Sequence, residues 1–132
     1  MALLAGAVDR ILLHTPRSEG ALRRTAIRLA DRVVVVATDD VFSLYGVRSL
    51  LAADEVSKDR VVIVRNRGRR RASGRDFEVV AGLRASAAVR ADRRVPGGQN
   101  RGELLGRRAR GAAADIRRLA AELADAGVET AR

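Results

Sequence analysis

Short apolar runs set the rhythm of this chain. "RILLHT" (Arg10–Thr15), "RVVVVAT" (Arg32–Thr38) and "RVVIVRN" (Arg60–Asn66) are each bounded by charged or polar residues. None is long enough for a helix, and all are rich in Val, Ile or Leu. The two valine runs show no alternation, the mark of strands covered on both faces. "ASAAVR" (Ala85–Arg90) is a weaker fourth strand.

Helical periodicity fills the intervals. Ser18–Arg32 has Ser18 as N-cap and puts Leu22, Ala26 and Leu29 on one face. Asp39 or Asp40 caps a helix in which Val41, Leu44, Val47, Leu50 and Leu51 fall at helical spacing. Arg75–Leu83 predicts a short helix with Phe77, Val80 and Ala81 inward. Ala91–Gly102 predicts a loop broken by Pro96-Gly97-Gly98. A terminal helix follows, with Ile116, Leu119, Ala120 and Leu123 as its buried stripe and Gly127 as its stop.

The order β-α-β-α-β-α-β-α predicts an α/β fold: a mostly parallel sheet flanked by helices in a three-layer sandwich. Its crossovers should be right-handed. Ligands on such sheets bind beyond the strand C-termini. Those ends carry His14-Thr15-Pro16, Thr38-Asp39-Asp40, Asn66-Arg67 and Arg90-Ala91-Asp92. Asn66 offers a donor and an acceptor to a ligand edge. It serves equally well to satisfy the turn that follows.

Composition narrows the chemistry. At 132 residues the chain has room for one domain, and its aromatics are Phe42, Tyr45 and Phe77. There is no Cys, and His14 is the single His. That removes disulfides, Cys-ligated metals, a His-based zinc site and a Ser/His/Asp triad, and it fits a cytoplasmic location. No apolar run reaches the ~18 residues of a membrane span, so membrane insertion is not expected. "MALLAGAVDR" does not read as a signal peptide.

The net charge is +10, carried almost wholly by arginine, with Lys58 the single Lys. This draws the protein toward nucleic acid, anionic lipid or an acidic partner. The Arg bias also matches what a GC-rich genome produces. Arg69, Arg70 and Arg71, with Arg107 and Arg108, could hold phosphate backbones without reading sequence. No aromatic interleaves them, so stacking on single strands is not expected. The carboxylates Asp39 and Asp40 read as helix caps. Asp92, among Arg90, Arg93 and Arg94, reads as structural.

In order and spacing these segments resemble the C-terminal half of the MinD/ParA family of P-loop ATPases, including its CpaE/TadZ-like branch. "VDRILLHTPR" resembles that family's Walker B strand and switch. "LADRVVVVATDDVFSLYGVRSLL" resembles the next unit, "VVIVRNR" the strand ending in Asn-Arg, and "AVRADRRVPGGQNRGELL" the segment before the terminal helix. The resemblance covers nearly the whole chain as one domain, residues 1–132. It implies that Asn66, with Arg67, lies on the adenine side of a nucleotide site.

Two departures limit what the resemblance implies. No Walker A motif is present, so the backbone cradle for a β-phosphate is missing. His14 stands where the family has the Walker B-type Asp, and a neutral imidazole suits magnesium poorly. No cofactor is therefore expected for this chain alone, and no independent ATP hydrolysis. ATP and magnesium enter only if another chain brings the P-loop. In the family the P-loop strand lies between the strands matched by Arg10–Thr15 and Arg32–Thr38. Either these two pair directly, or another chain fills the gap, or the sequence is a remnant or has a misassigned start. A protein partner or self-association is the expectation.

Three functional expectations follow. The first is a degenerate or truncated positioning or assembly protein (septum, pilus or chromosome) acting through protein contacts. The second is a non-specific nucleic-acid-binding protein using its arginine clusters. The third is an ATPase module completed by a second chain.

Overall fold

The computed structural model describes residues 8–15, 20–53, 56–68, 74–103 and 110–125. Its elements are α1 (Ala21–Leu29), β1 (Val33–Ala37), α2 (Val41–Ala53), a 3-10 turn (Lys58–Arg60), β2 (Val61–Gly68), α3 (Gly74–Ala81), β3 (Ala87–Arg90), α4 (Val95–Gln99) and α5 (Arg110–Asp125). The strands form one parallel sheet in the order β1-β2-β3. Among the described residues this is an α/β fold with helices flanking a small sheet, as the alternating pattern predicts.

The centre of the sheet is β2. Ile63 and Val64 are neighbours in sequence, so they point to opposite faces, and both are fully buried. On the Ile63 side, Ala37, Leu44, Val47 and Ala81 complete a core cluster, with Val35, Leu51, Val61 and Val80 packed against it. This face joins β1 and β2 to α2 and α3. Asp40 starts α2: its Oδ1 accepts the Ser43 N–H at 2.8 Å, and its carbonyl accepts the Leu44 N–H at 3.1 Å.

α5 packs against β3 through small residues and one buried carboxylate. Ala112, Ala113 and Asp115 are buried. A Cβ at Gly111 would come within 2.9 Å of Arg90 Cδ, so glycine lets the helix approach this arginine. Gly98 is needed for a similar reason: a Cβ there would meet the Glu103 carbonyl at 2.8 Å.

Several expectations are corrected here. Arg10–Thr15 is not a strand: residues 8–15 lie outside the sheet, and Leu12 is 91% exposed. A strand needs a neighbour to satisfy its backbone, and the sheet starts at β1. Arg10 instead donates to the Ala124 carbonyl near the end of α5 at 2.9 Å. β1 is not covered on both faces, because Val36 is 60% exposed.

Three helical faces and one loop also differ. In α1, Arg23 and Ile27 are buried while Leu22 and Leu29 are exposed. Arg60 donates to the carbonyls of Ile27 (2.8 Å) and Ala30, tying that side of the helix to the start of β2. In α2, Val41 is exposed. In α5, Ala120 is exposed, and the face that packs inward runs through Ala112, Ala113 and Asp115, with Ile116, Leu119 and Leu123 half-buried. The loop expected over Ala91–Gly102 contains α4, with Pro96 in its first turn, where a missing N–H costs nothing. The Ser18 cap and the Gly127 stop lie outside the described residues.

Candidate functional site

The C-terminal ends of three parallel strands form the one edge where the sequence-level candidates gather. β1 and β2 run in register with Ala37 beside Arg65. One residue further along, the chain leaves β1 through Thr38, Asp39 and Asp40. Arg65 crosses to Asp39 as a bidentate pair, Nε to Oδ1 at 2.9 Å and Nη2 to Oδ2 at 3.0 Å. Both side chains are about six-sevenths buried, at 15% and 14% exposure. Planar guanidinium against carboxylate fixes both groups, so the pair is a clamp between strand tips rather than a proton-transfer device. Asp39 was expected as a cap. Asp40 alone takes that role, because Arg65 holds Asp39 toward β2.

The turn beyond β1 is itself rigidly bonded. The Thr38 hydroxyl bonds the Asp40 carboxylate, and the Thr38 N–H donates to Ser43 Oγ at 3.0 Å. These bonds consume much of the polar capacity of the turn.

Asn66 and Arg67 sit on the neighbouring tip. Asn66 is half-buried and pairs in register with Val89 of β3. Arg67 then bulges out of the ladder, so that Gly68, not Arg67, pairs with Arg90. Its φ is +56°, in the left-handed region that non-glycine residues seldom adopt. A bulge bends its strand and re-aims the flanking side chains, and bulges gather beside ligand sites. Strain stored at the Asn-Arg dipeptide is the structural feature that sequence reasoning did not anticipate. Among the described residues, the Asn66 side chain has no hydrogen-bond partner. The loop that Asn66 would satisfy in its turn-satisfying role, residues 69–73, lies outside the described residues.

The third tip is occupied by a structural pair. Asp115 Oδ2 accepts the Arg90 backbone N–H at 3.0 Å and Arg90 Nε at 2.8 Å. Its Oδ1 accepts Arg90 Nη2 at 3.0 Å and Arg118 Nη2 at 2.7 Å. Hydrogen bonds from the Arg90 side chain are the main reason this carboxyl lies below its ordinary value, and they outweigh the opposing effect of burial. The same bonds raise Arg90 above its ordinary value. Asp115 was missed at the sequence level. The one signal was a carboxylate at a position that the α5 periodicity allows to face inward.

Asp92 is structural, as expected: its Oδ1 accepts the Arg94 N–H at 2.9 Å at the entry to α4. His14 is exposed on the 8–15 segment, outside the sheet. Among the described residues, no group of three or more His, Asp or Glu side chains could hold a metal. No helix among them is long and apolar enough to cross a membrane. Arg69, Arg70, Arg71, Arg107 and Arg108 lie outside the described residues.

Comparison with protein-family models finds none that matches, and neither the curated proteins nor the solved structures compared include a match.

Proposed function

We propose that the chain is a degenerate MinD/ParA/CpaE-like cytoplasmic protein. It serves cellular positioning or assembly, at a septum, pilus or chromosome, through protein contacts and without hydrolysing ATP on its own. The observation that carries this reading is the edge just described. Three parallel strands end side by side, and the Asn66-Arg67 pair lies on a strained bulge at the middle one. In the resembled family the Asn of that pair contacts the adenine base. Here the arginine of the same strand, Arg65, is committed to Asp39, and the sequence supplies no phosphate cradle.

Two measurements test the reading. Calorimetric titration of the folded chain with Mg-ATP should give no binding. Heat that disappears in Asn66→Ala would instead favour a nucleotide module completed by phosphate contacts from elsewhere, such as a second chain. In cells, a tagged chain should concentrate at the septum, pole or nucleoid, and its deletion should disturb the matching process. A diffuse signal with no such defect overturns the proposal.

The net charge of +10 favours a second reading, non-specific nucleic-acid binding through the arginines. Its signature is affinity for DNA of any sequence that falls roughly 10³-fold or more between about 50 and 200 mM salt. Binding that is absent at low salt removes it.

A further inference from the structure

The sheet ends on an unusual edge. β1 reads Val-Val-Val-Val-Ala and, among the described residues, has a strand neighbour on one side only. Within these five residues there is no lysine, proline or inward-pointing charge, the devices by which edge strands are ordinarily kept from pairing. Val36, on the face opposite Ala37, stays 60% exposed. An apolar strand with one open ladder is a template for another strand.

We infer that the partner of this edge is a second copy of the same chain, docked antiparallel, β1 against β1, about a two-fold axis. The two sheets would then join into a continuous sheet of six strands, twice the three of one chain. A two-fold interface must bring each residue opposite its symmetry mate or opposite a residue equally far on the other side. The charges that flank β1 select the register. Arg32 precedes the strand, and Asp39 and Asp40 follow it. Centred on Val36, the pairing sets Val36 against Val36 and Val34 against Thr38. It brings Arg32 of each copy beside the Thr38–Asp40 turn of the other. Opposite charges then meet at both ends of an apolar seam, which favours the pairing.

Neighbouring registers lose this match. Centring on Val35 sets Asp31 toward Asp39, a like-charge pair. Centring on Ala37 sets both Val34 and Val35 against Asp40 and Asp39 and loses the Arg32–Asp40 match, whereas the Val36 register sets only Val33 against Asp39. Arg32 has donors to spare, since the bond from its Nη1 to the Asp59 carbonyl (2.7 Å) uses one of five. The inference stands on sheet geometry and flanking charge. It does not depend on the nucleotide-family reading, so either can fail alone.

The absence of cysteine makes the test clean. Light scattering of the full chain at about 100 μM, where weak interfaces are populated, should report a dimer. Val36→Lys puts two ammonium groups face to face at the seam. It should raise the dimer dissociation constant roughly tenfold or more while circular dichroism stays unchanged. Should that variant not fold, Val36→Cys reads the register directly. Its two thiols lie opposite one another and should give a disulfide-linked dimer on mild oxidation, faster than Leu12→Cys, which is more exposed but off the strand. A monomer at this concentration overturns the inference. So does a dimer that Val36→Lys leaves intact, or faster cross-linking through Leu12→Cys.

Discussion

β1 and β2 are close to the same sequence, Val-Val-Val-Val-Ala and Val-Val-Ile-Val-Arg over their paired residues. Their surroundings are opposite. β2 has a neighbour on each side, and Ile63 and Val64 are 1% and 2% exposed. Among the described residues β1 has one neighbour, and Val36 is 60% exposed. The difference teaches that a continuous β-branched run encodes a strand, but not how many sides of it are filled. Burial is conferred by whatever the rest of the chain, or another chain, lays against it.

The comparison can be broken most directly by truncation in the two strands. Ile63→Ala removes a fully buried side chain between two helices and a neighbouring strand, and should cost about 2–5 kcal/mol in urea unfolding. If the cost falls below that of a surface change, the centre of the core lies elsewhere.

A smaller effect is expected where β3 meets α5. Asp115→Ala leaves the Arg90 N–H without its acceptor and should cost about 1–3 kcal/mol. The arginine partners are themselves largely exposed, at 64% each, and can rehydrate, which keeps the loss from being larger. The pH dependence has a definite sign. A carboxyl whose folded value lies below its ordinary 3.8 adds stability that is complete above that value. The contribution is lost as pH falls through the lower folded value. Unfolding midpoints measured from pH 6 downward, a range of roughly four pH units, should therefore drop in acid. That acid limb should be shallower in Asp115→Asn.

The bulge sharpens the contrast in another way. Arg67→Gly relieves a left-handed φ of +56° and should raise stability by up to about 1 kcal/mol. A loss instead would mean that the Arg67 side chain itself holds the bulge. The smallest effect belongs to the open edge. Val36→Ala should stay within about 0.5 kcal/mol in dilute monomer, as surface substitutions do. A cost comparable to that of Ile63→Ala would show that Val36 is covered in solution even without a second copy.

Much of the fold was legible in the chain because it is written in local signals. The three strands that form, the cap at Asp40 and the inward Leu44 and Val47 all follow from run length, periodicity and capping chemistry. The errors share a cause. Arg10–Thr15 has the composition of a strand, but a strand exists only with a partner. The α1 stripe was drawn through Leu22 and Leu29, yet Arg60 anchors the helix by its Ile27 and Ala30 carbonyls and turns Arg23 inward. Hydrophobicity names the residues that gain from burial. It does not say which of them the available contacts can reach.

At the candidate site the same division holds. The sequence alone determined which residues stand at the strand ends, because a βα unit delivers the residue after each strand to one edge of the sheet. Tertiary structure decided what each of them does there. Arg65 took Asp39 out of its capping role, Asp115 reached Arg90 from 25 residues away, and Arg67 was pushed into a bulge by the register of β2 against β3. These are long-range outcomes, fixed by which charged groups meet when the elements pack. No local pattern can encode them, because the energy of a bidentate pair or a strained φ exists only once both partners are in place.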